Sequence, residues 1–275
     1  MTVLVTAASG KVGREVVAQL EARDVDVRPA TRRSTIPLDW TDATSWPNAL
    51  DGVDRIFLVV PGGDDGHRSV TGLGPRVCEF LDLAASTGVS RVVLMTALGM
   101  DFAPPEVEQR AVEIHLQAGG PAWTILRPNW FFQNLRHGPL QVLAEAGDGV
   151  LRLPAGDAAV SFIDTRDIAA VAVEALLGTG KGEEYALTGP ASLTFTEVAQ
   201  ACRDSRLPLH AYEPVSDARF RQNAAELGWH PDYVDSLSGL FRSIAAGHAS
   251  AITDDIAQVT GRRPRALTDF VREIG

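Results

Sequence analysis

Length, composition and charge restrict what this chain can be. Its 275 residues, 45% of them hydrophobic, suffice for one well-buried core or for a core with a smaller lobe. A formal net charge of −10 argues against a nucleic-acid-binding or lipid-binding surface. The start of the chain has no signal-peptide pattern, and no apolar stretch approaches membrane-spanning length. We therefore expect a cytoplasmic protein with neither a nucleic-acid nor a membrane partner.

The histidines and cysteines give no sign of a metal centre. The two cysteines, Cys78 and Cys202, lie far apart in helix-like apolar stretches, which is typical of structural thiols. The six histidines are scattered without metal-ligand spacing. We expect no metal site.

Short β-branched runs alternate with segments of helical period, a pattern typical of βα units on a parallel sheet. Two later strands are expected to extend that sheet and to flank a helix at Thr165–Leu177, which Asp164 or Asp167 would cap. The sequence thus predicts an α/β fold, a Rossmann-type parallel sheet with helices on both faces. The predicted strands are Thr2–Thr6, Val25–Thr31, Arg55–Val60, Arg91–Thr96, Ala122–Arg127, Ala159–Ile163 and Glu184–Thr188.

The regular alternation loosens after the fifth strand. We assign the core to residues 1–128 and 156–188, approximately, and a smaller C-terminal substrate lobe to residues 129–155 and 189–275. The lobe is expected to lie over the carboxyl ends of the strands, where ligands bind in open α/β sheets.

A glycine-containing turn joins the first predicted strand to an amphipathic helix. Gly10 lets the backbone approach a diphosphate, and Gly13 permits close packing of the helix on the strand. N–H groups at the start of the helix would then bind the phosphates. The alternative is an ordinary strand–turn–helix connection. The residues expected to form the cofactor turn are Thr6, Ala8, Ser9, Gly10, Lys11, Val12 and Gly13.

The end of the second strand favours NADP(H) over NAD(H). NAD sites usually carry an acidic residue there, but this chain has Arg32 and Arg33. Their guanidinium groups can pair with a 2′-phosphate, although they can equally be solvated loop charges. Asp39, followed by Trp40, is expected either near the adenine or in simple packing.

The ends of the later strands are expected to line the nicotinamide half of the cofactor site. Among these residues Thr96 carries a hydroxyl and is our candidate catalytic residue; the alternative is that the hydroxyl satisfies its own turn. The residues in this group are Val60, Pro61, Gly62, Thr96, Ala97 and Pro128.

Several stretches together resemble the NmrA-like atypical short-chain dehydrogenases/reductases, nearly from end to end. The resemblance is greatest to the branch with ergot-alkaloid iminium reductases of the festuclavine and agroclavine dehydrogenase type, with NADPH:quinone reductases as near relatives. It implies an NADP(H)-dependent oxidoreductase. The stretches are Thr6–Gly13, Leu126–Phe131, Phe162–Ile168, Tyr185–Pro190 and Val259–Arg265.

The chain departs from the family pattern at two places. Ala7 stands where related sequences usually have glycine, and no Tyr or Lys occurs between Thr96 and Pro121. The Tyr-x-x-x-Lys pair of short-chain dehydrogenases is therefore absent, with Pro105 and Gln109 at about its positions. Loss of general acid catalysis typically costs about 100- to 10,000-fold in rate. Simple ketone reduction is thus disfavoured.

Two conjugated apolar electrophiles avoid this penalty. An iminium accepts a hydride without proton transfer, and a quinone gives a delocalised phenolate that water can protonate. Asn129, Trp130 and Phe131 are the candidate substrate residues, with Phe132, Met100 and Phe102 as further aromatic or apolar lid residues. Asn129 can equally cap a turn, and the aromatic residues can equally pack the lobe. The alternative function is an NADP(H)-binding redox sensor without turnover.

Overall fold

Six parallel strands form the central sheet of the structure, a computed structural model that describes residues 1–60 and 72–274. Along the sheet the order is β2-β1-β3-β4-β5-β8. The strand β1 lies inside the sheet, with β2 on one side and β3 on the other. This strand order is that of the predicted Rossmann-type α/β fold. The strands are β1 (Thr2–Thr6), β2 (Asp26–Ala30), β3 (Arg55–Val59), β4 (Arg91–Met95), β5 (Ala122–Pro128), β6 (Val150–Leu153), β7 (Ala159–Val160), β8 (Glu183–Leu187), β9 (Leu193–Thr194) and β10 (Ala211–Pro214).

Helices cover both faces of this sheet, as the buried runs of the strands require. Val3 and Val5 of β1 face one helical layer, in which α1, α6 and α10 lie, whereas Leu4 faces the layer of α2, α3 and α4. The helices are α1 (Gly13–Glu21), α2 (Trp46–Leu50), α3 (Gly74–Ser86), α4 (Glu108–Ala118), α5 (Pro139–Ala146), α6 (Thr165–Leu177), α7 (Phe195–Cys202), α8 (Asp217–Glu226), α9 (Pro231–Ala245), α10 (Asp255–Thr260) and α11 (Leu267–Ile274).

One predicted strand of the sheet is wrong. Residues 159–163 do not extend the sheet, because β8 already pairs with β5 at that edge. Ala159–Val160 forms the short strand β7, which pairs antiparallel with β9, and Ile163 makes an isolated parallel bridge with Phe131. The following residues, including Phe162 and Ile163, are buried where the lobe meets the core. An apolar run of this kind is equally suited to burial between two layers and to a sheet.

The lobe has its own hydrophobic core. Its strands β6 and β10 pair in parallel, and its helices α5, α7, α8, α9 and α11 pack around large aromatic residues. Phe241 is fully buried there and packs edge-to-face on Phe220, with ring centroids 5.2 Å apart. The lobe is therefore a folded unit with its own packed interior rather than a set of loops on the core.

Two buried aspartates at the start of α6 have different tasks. Asp164 caps the helix, since its carboxylate accepts a hydrogen bond of 2.8 Å from the backbone N–H of Arg166. Asp167 instead accepts one of 2.7 Å from the N–H of Arg265 and pairs with that guanidinium. Asp164 is thus the cap, and Asp167 anchors the C-terminal segment to the core.

A buried ion pair joins α4 to β5. The Glu113 carboxylate is fully buried and accepts two hydrogen bonds of 2.9 Å from Arg127, one of 2.7 Å from Arg110 and one of 2.6 Å from the Thr96 hydroxyl. Burial raises the pKa of Glu113, but the hydrogen bonds from Arg127, Thr96 and Arg110 outweigh it and leave the pKa below its usual value. Glu113 is therefore ionised, and it holds Arg127 in place.

Replacing Glu113 with alanine leaves the buried Arg127 without its main counter-ion. We expect the free energy of unfolding at pH 7 to fall by about 3–5 kcal/mol, as measured by denaturant titration. The control is Asp82→Ala, which removes an exposed partner of His115 and should cost less than about 1 kcal/mol. Equal losses in the two variants would contradict this role of Glu113.

The same variant has a defined pH dependence. A carboxyl group with a lowered folded pKa stabilises the protein above its unfolded pKa, which is about 4.3 for Glu. That stabilisation is lost as the pH falls through the lower, folded pKa. The stability difference between the wild type and Glu113→Ala should therefore be constant near neutrality and shrink below about pH 4.

Candidate functional site

The predicted site residues converge at one edge of the sheet, because all six strands run in the same direction. The strand registers align Thr6 with Ala30 and Val59 with Met95. Pro128 in turn aligns with Leu187. The loops that follow these strands therefore leave the sheet side by side at its carboxyl edge, which is the usual ligand-binding position of such folds.

The turn after β1 brings the backbone of α1 very close to that of β1. Gly10 donates a 2.8 Å hydrogen bond to the carbonyl of Ala7. A Cβ on Gly13 would lie 2.2 Å from the same carbonyl oxygen, so only glycine fits at that position. Ala7 itself has φ +48°, a left-handed conformation that costs a non-glycine residue about 1–2 kcal/mol. The side chain of Ala7 is exposed and adds no clash with neighbouring elements.

The start of α1 offers backbone donors to a ligand. Within residues 1–60 and 72–274, the N–H groups of Val12 and Gly13 have no hydrogen-bond acceptor, and no side chain caps the helix. Unpaired donors at a helix N-terminus attract an anion, since the helix dipole adds to their partial charges. This cradle fits the diphosphate of a dinucleotide. Ser9 is exposed at the same turn, whereas Ala8 is buried.

The Thr6 hydroxyl has a structural contact. It is fully buried and accepts a 2.9 Å hydrogen bond from the N–H of Val59, at the end of β3. This bond ties the start of the cofactor turn to the neighbouring strand. Thr6 thus has a structural role, since it fixes the position of the turn relative to β3.

A compact loop after β2 carries the two predicted arginines. The N–H of Leu38 donates to the carbonyl of Thr31 at 3.0 Å, and the N–H of Arg33 donates to the Thr31 hydroxyl at 3.1 Å. The side chains of Arg32 and Arg33 are exposed. The loop therefore presents two guanidinium groups beside the glycine turn.

Asp39 and Trp40 belong to a packed turn behind this loop. The Asp39 carboxylate accepts hydrogen bonds from the N–H and the hydroxyl of Thr41, at 2.9 and 2.7 Å. These bonds, with a smaller contribution from Arg32, lower the pKa of Asp39. Trp40 packs edge-to-face on Phe80, with ring centroids 5.2 Å apart. Packing thus accounts for Trp40, while the cofactor role of Asp39 stays a prediction.

Thr96 follows β4 directly, and its hydroxyl already makes a hydrogen bond within the protein. The hydroxyl donates to Glu113 at 2.6 Å rather than to its own turn, and the residue is only 7% exposed. The loop beyond it is held to β5, since the N–H of Leu98 donates to the carbonyl of Pro128 at 3.0 Å. Ala97 is partly exposed and Val60 is buried. Pro61 and Gly62 lie outside the described residues.

Asn129 is fully engaged within the protein. Its amide nitrogen donates to the Ser161 hydroxyl at 2.8 Å and to the carbonyl of Ala249 at 2.7 Å, while its oxygen accepts from the N–H of Trp130 at 2.9 Å. These bonds use both amide hydrogens. These contacts favour a structural role for Asn129. They fix the direction in which the chain leaves the sheet after β5.

The three consecutive aromatic residues diverge. Trp130 is partly buried and stacks on Phe241 of the lobe, with ring centroids 5.5 Å apart. Phe131 is partly buried against the core cluster of the sheet, and Phe132 is buried between lobe residues. Only Trp130 and Phe131 therefore retain surface for a ligand, and their substrate role stays a prediction. Phe102 is 89% exposed in the loop beyond Thr96.

Sequence reasoning missed the Glu113–Arg127 pair beside Thr96. One signal was present: each charged residue interrupts an apolar pattern, Glu113 between Val112 and Leu116 and Arg127 after Ile125-Leu126. A charge on a buried face calls for a partner. The identity of that partner was not visible, because the two residues lie on different elements.

Two further observations delimit the site. A cavity of about 460 Å³ lies where α6 ends and β8 begins, away from the carboxyl ends of the strands. Its lining includes Glu174, Glu183 and Tyr185. It does not coincide with the predicted site. In the described ranges, 1–60 and 72–274, we find neither a helix that could cross a membrane nor a group of three metal-ligating side chains.

Comparison with known proteins gives a consistent result. A reductase of Streptomyces griseus subsp. griseus, (4-alkanoyl-5-oxo-2,5-dihydrofuran-3-yl)methyl phosphate reductase, is 31% identical over 98% of this chain and 97% of its own. Agroclavine dehydrogenase of Claviceps fusiformis is 27% identical over 99% and 97%. The Escherichia coli NADPH-dependent quinone oxidoreductase, solved with NADPH, shares the fold with a TM-score of 0.82 at 22% identity, covering 99% of both chains.

These relatives confirm the predicted resemblance to the clavine reductase branch and the prediction of an oxidoreductase. The model of the family described as NAD(P)H-binding matches residues 7–178, from the glycine turn to the end of α6. Since that match covers well over half of the chain and includes the phosphate cradle, the protein belongs to the NAD(P)H-binding family.

Proposed function

We propose that this protein is an NADPH-dependent reductase that transfers a hydride to a conjugated apolar electrophile, an iminium or a quinone, without a Tyr-x-x-x-Lys acid. The cradle at the start of α1 carries the proposal. Only glycine fits at Gly13, and the adjacent N–H groups are left for an anion. The cytoplasmic location expected from the sequence stays a prediction.

The preference for NADP(H) rests on the loop after β2. Arg32 and Arg33 are exposed on a loop held by its own hydrogen bonds, beside the turn that would bind the diphosphate. A 2′-phosphate carries two negative charges near neutral pH, and paired guanidinium groups suit it. No carboxylate stands at the position where NAD sites usually hold the ribose.

The residues around Thr96 support a reaction that needs no acid from the protein. When bound, the reduced nicotinamide supplies a hydride. The Thr96 hydroxyl donates its hydrogen bond to the ionised Glu113 carboxylate, so toward a ligand the hydroxyl oxygen can only accept a hydrogen bond. An iminium carbon that takes up a hydride becomes a neutral amine, and a reduced quinone can take its proton from water. Both substrates can therefore be reduced at a site that supplies no acid.

The chain's tyrosines lie elsewhere. Tyr212 belongs to the lobe, where its hydroxyl donates to the carbonyl of Gly156 at 2.8 Å. Burial raises its pKa to about 12, so it is a poor acid near neutral pH. Tyr185 lines the cavity where α6 ends and β8 begins. Tyr233, the third, packs edge-to-face on Trp229 in the lobe. None of the three therefore offers a substitute for the missing Tyr-x-x-x-Lys pair.

The first prediction concerns turnover. Purified protein with NADPH and a panel of quinones and cyclic iminium compounds should oxidise NADPH with at least one member, followed by the absorbance of the reduced nicotinamide. Simple ketones should react at least about 100-fold more slowly, because they need a proton donor. Tight NADPH binding without any turnover would replace the reductase with the redox sensor.

The second prediction concerns cofactor choice. The double variant Arg32→Ala and Arg33→Ala should bind NADPH at least about tenfold more weakly, since even one charge-assisted hydrogen bond contributes about 1.5–3 kcal/mol and each 1.4 kcal/mol is about tenfold in affinity. NADH affinity should stay unchanged. Arg76→Ala, a partly exposed arginine of α3 in a loose ion pair with Glu79, is the matched control. An unaltered NADPH preference in the double variant would remove the arginines from the site.

The third prediction concerns the cradle. Gly13→Ala forces a methyl group against the carbonyl of Ala7, so α1 must move away from β1. We expect NADPH affinity to fall at least about tenfold, by fluorescence titration of the folded protein. Ala18→Gly is the control, because it weakens the same helix by about 1 kcal/mol at an exposed position far from the turn. Equal affinities in the two variants would disprove the cradle.

A further inference from the structure

Four basic side chains meet where the start of α1 faces the loop that enters α5. We call Lys11, Arg14, Arg136 and His137 the basic cluster. Lys11 comes from the turn before α1 and Arg14 from its first turn, whereas Arg136 and His137 come from the segment before α5. They lie close together, since Lys11, Arg14 and Arg136 all act electrostatically on His137. The protein as a whole has a net charge of −10, so a concentration of positive charge at one place is notable.

The contact between the two halves of the cluster is close. Gly138 immediately precedes α5 and has φ +131°, and a Cβ at that position would lie 3.0 Å from the Nζ of Lys11. The ammonium group of the cofactor turn therefore lies against the lobe, next to His137. A side chain larger than that of glycine at position 138 would push the ammonium group away.

The lobe half of the cluster is held firmly. The N–H groups of Arg136 and His137 both donate to the carbonyl of Gln133, at 3.2 and 2.9 Å. Gln133 is buried, and its amide donates to Asp164 at 3.1 Å and accepts from the N–H of Thr165 at 3.1 Å. The backbone that carries the two basic residues is thus fixed to the start of α6.

The charges of the cluster act on one another. The pKa of His137 is lowered, first by burial and then by the positive charges of Arg136, Arg14 and Lys11. The Glu15 carboxylate lies 3.7 Å from the Nε of Arg14. Cations held this close repel one another, and an anion between them would relieve that repulsion.

We propose, on the basis of the proposed function, that the basic cluster is a phosphate-binding site shared by the core and the lobe. It lies beside the N–H groups that would hold the diphosphate, and its members carry the donors that phosphate oxygens accept. The phosphate belongs either to the bound dinucleotide or to a substrate whose conjugated apolar part, the hydride acceptor, carries a phosphate group. In both cases the phosphate would bridge residues at the start of α1 and residues before α5.

The test uses Arg136→Ala combined with His137→Ala in the full chain. Arg203→Ala, an exposed arginine at the end of α7, is the control. Thermal unfolding first establishes that all variants are folded. Fluorescence titration at low salt then gives the NADPH affinity, and calorimetry gives the binding of phenyl phosphate to protein saturated with NADP⁺.

A loss of about tenfold or more in NADPH affinity, confined to the double variant, supports the cluster as a contact for the dinucleotide phosphates. Unchanged NADPH affinity with loss of phenyl phosphate binding supports it as a contact for a substrate phosphate. If the double variant matches the control in both measurements, the phosphate site is disproved. Failure of the wild type to bind NADPH would instead overturn the proposed function, and the phenyl phosphate measurement, made then without cofactor, would still decide the cluster.

Discussion

The contact between the backbone of α1 and the carbonyl of Ala7 is the constraint on which the site depends. With a Cβ only 2.2 Å from that oxygen, any side chain at Gly13 would separate the helix from the strand. The separation would also turn the N–H groups of Val12 and Gly13 away from the sheet edge. Close packing, and in our proposal anion binding as well, therefore depend on this one glycine. The left-handed conformation of Ala7 is a cost of the same turn, and the fold tolerates it.

Around this turn the structure separates charges by function. Glu113 neutralises Arg127 in the interior, and Asp167 binds Arg265, so these arginines hold elements together and are not available to a ligand. Arg32 and Arg33 stay exposed at the carboxyl edge of the sheet. Arg32 and Arg33 are the arginines for which we propose a role in binding the 2′-phosphate. This division lets an acidic protein present a basic site.

Much of the fold could be predicted, because its signals are local. The apolar strands, the helix at Thr165–Leu177 and the turn through Gly10 and Gly13 can be recognised from neighbouring residues, and the structure has them within one or two residues. The pairing of residues 159–163 could not be predicted, because it depends on β8, which occupies the sheet edge twenty residues later. Long-range competition of this kind leaves no local pattern.

The site was predictable to a smaller extent for the same reason. The strand ends identify which loops meet, but the partner of a side chain is set by residues distant in sequence. The Asn129 amide donates a hydrogen bond to the carbonyl of Ala249, and the ammonium group of Lys11 lies against Gly138. Of the three consecutive aromatic residues, Phe132 was indistinguishable in sequence from its neighbours, yet it is buried among lobe residues. Composition and spacing indicate the chemistry, and tertiary contacts decide which residues are available for it.

The most direct measurement of the central claim is a titration of ¹⁵N-labelled protein with NADP⁺, followed through the backbone amide signals. If the diphosphate rests on the start of α1, the largest shifts should occur at Gly10, Val12 and Gly13, with smaller ones at Arg32 and Arg33. Binding that leaves the amides of the glycine turn unshifted, or that shifts mainly the cavity around Glu183 and Tyr185, would contradict the account.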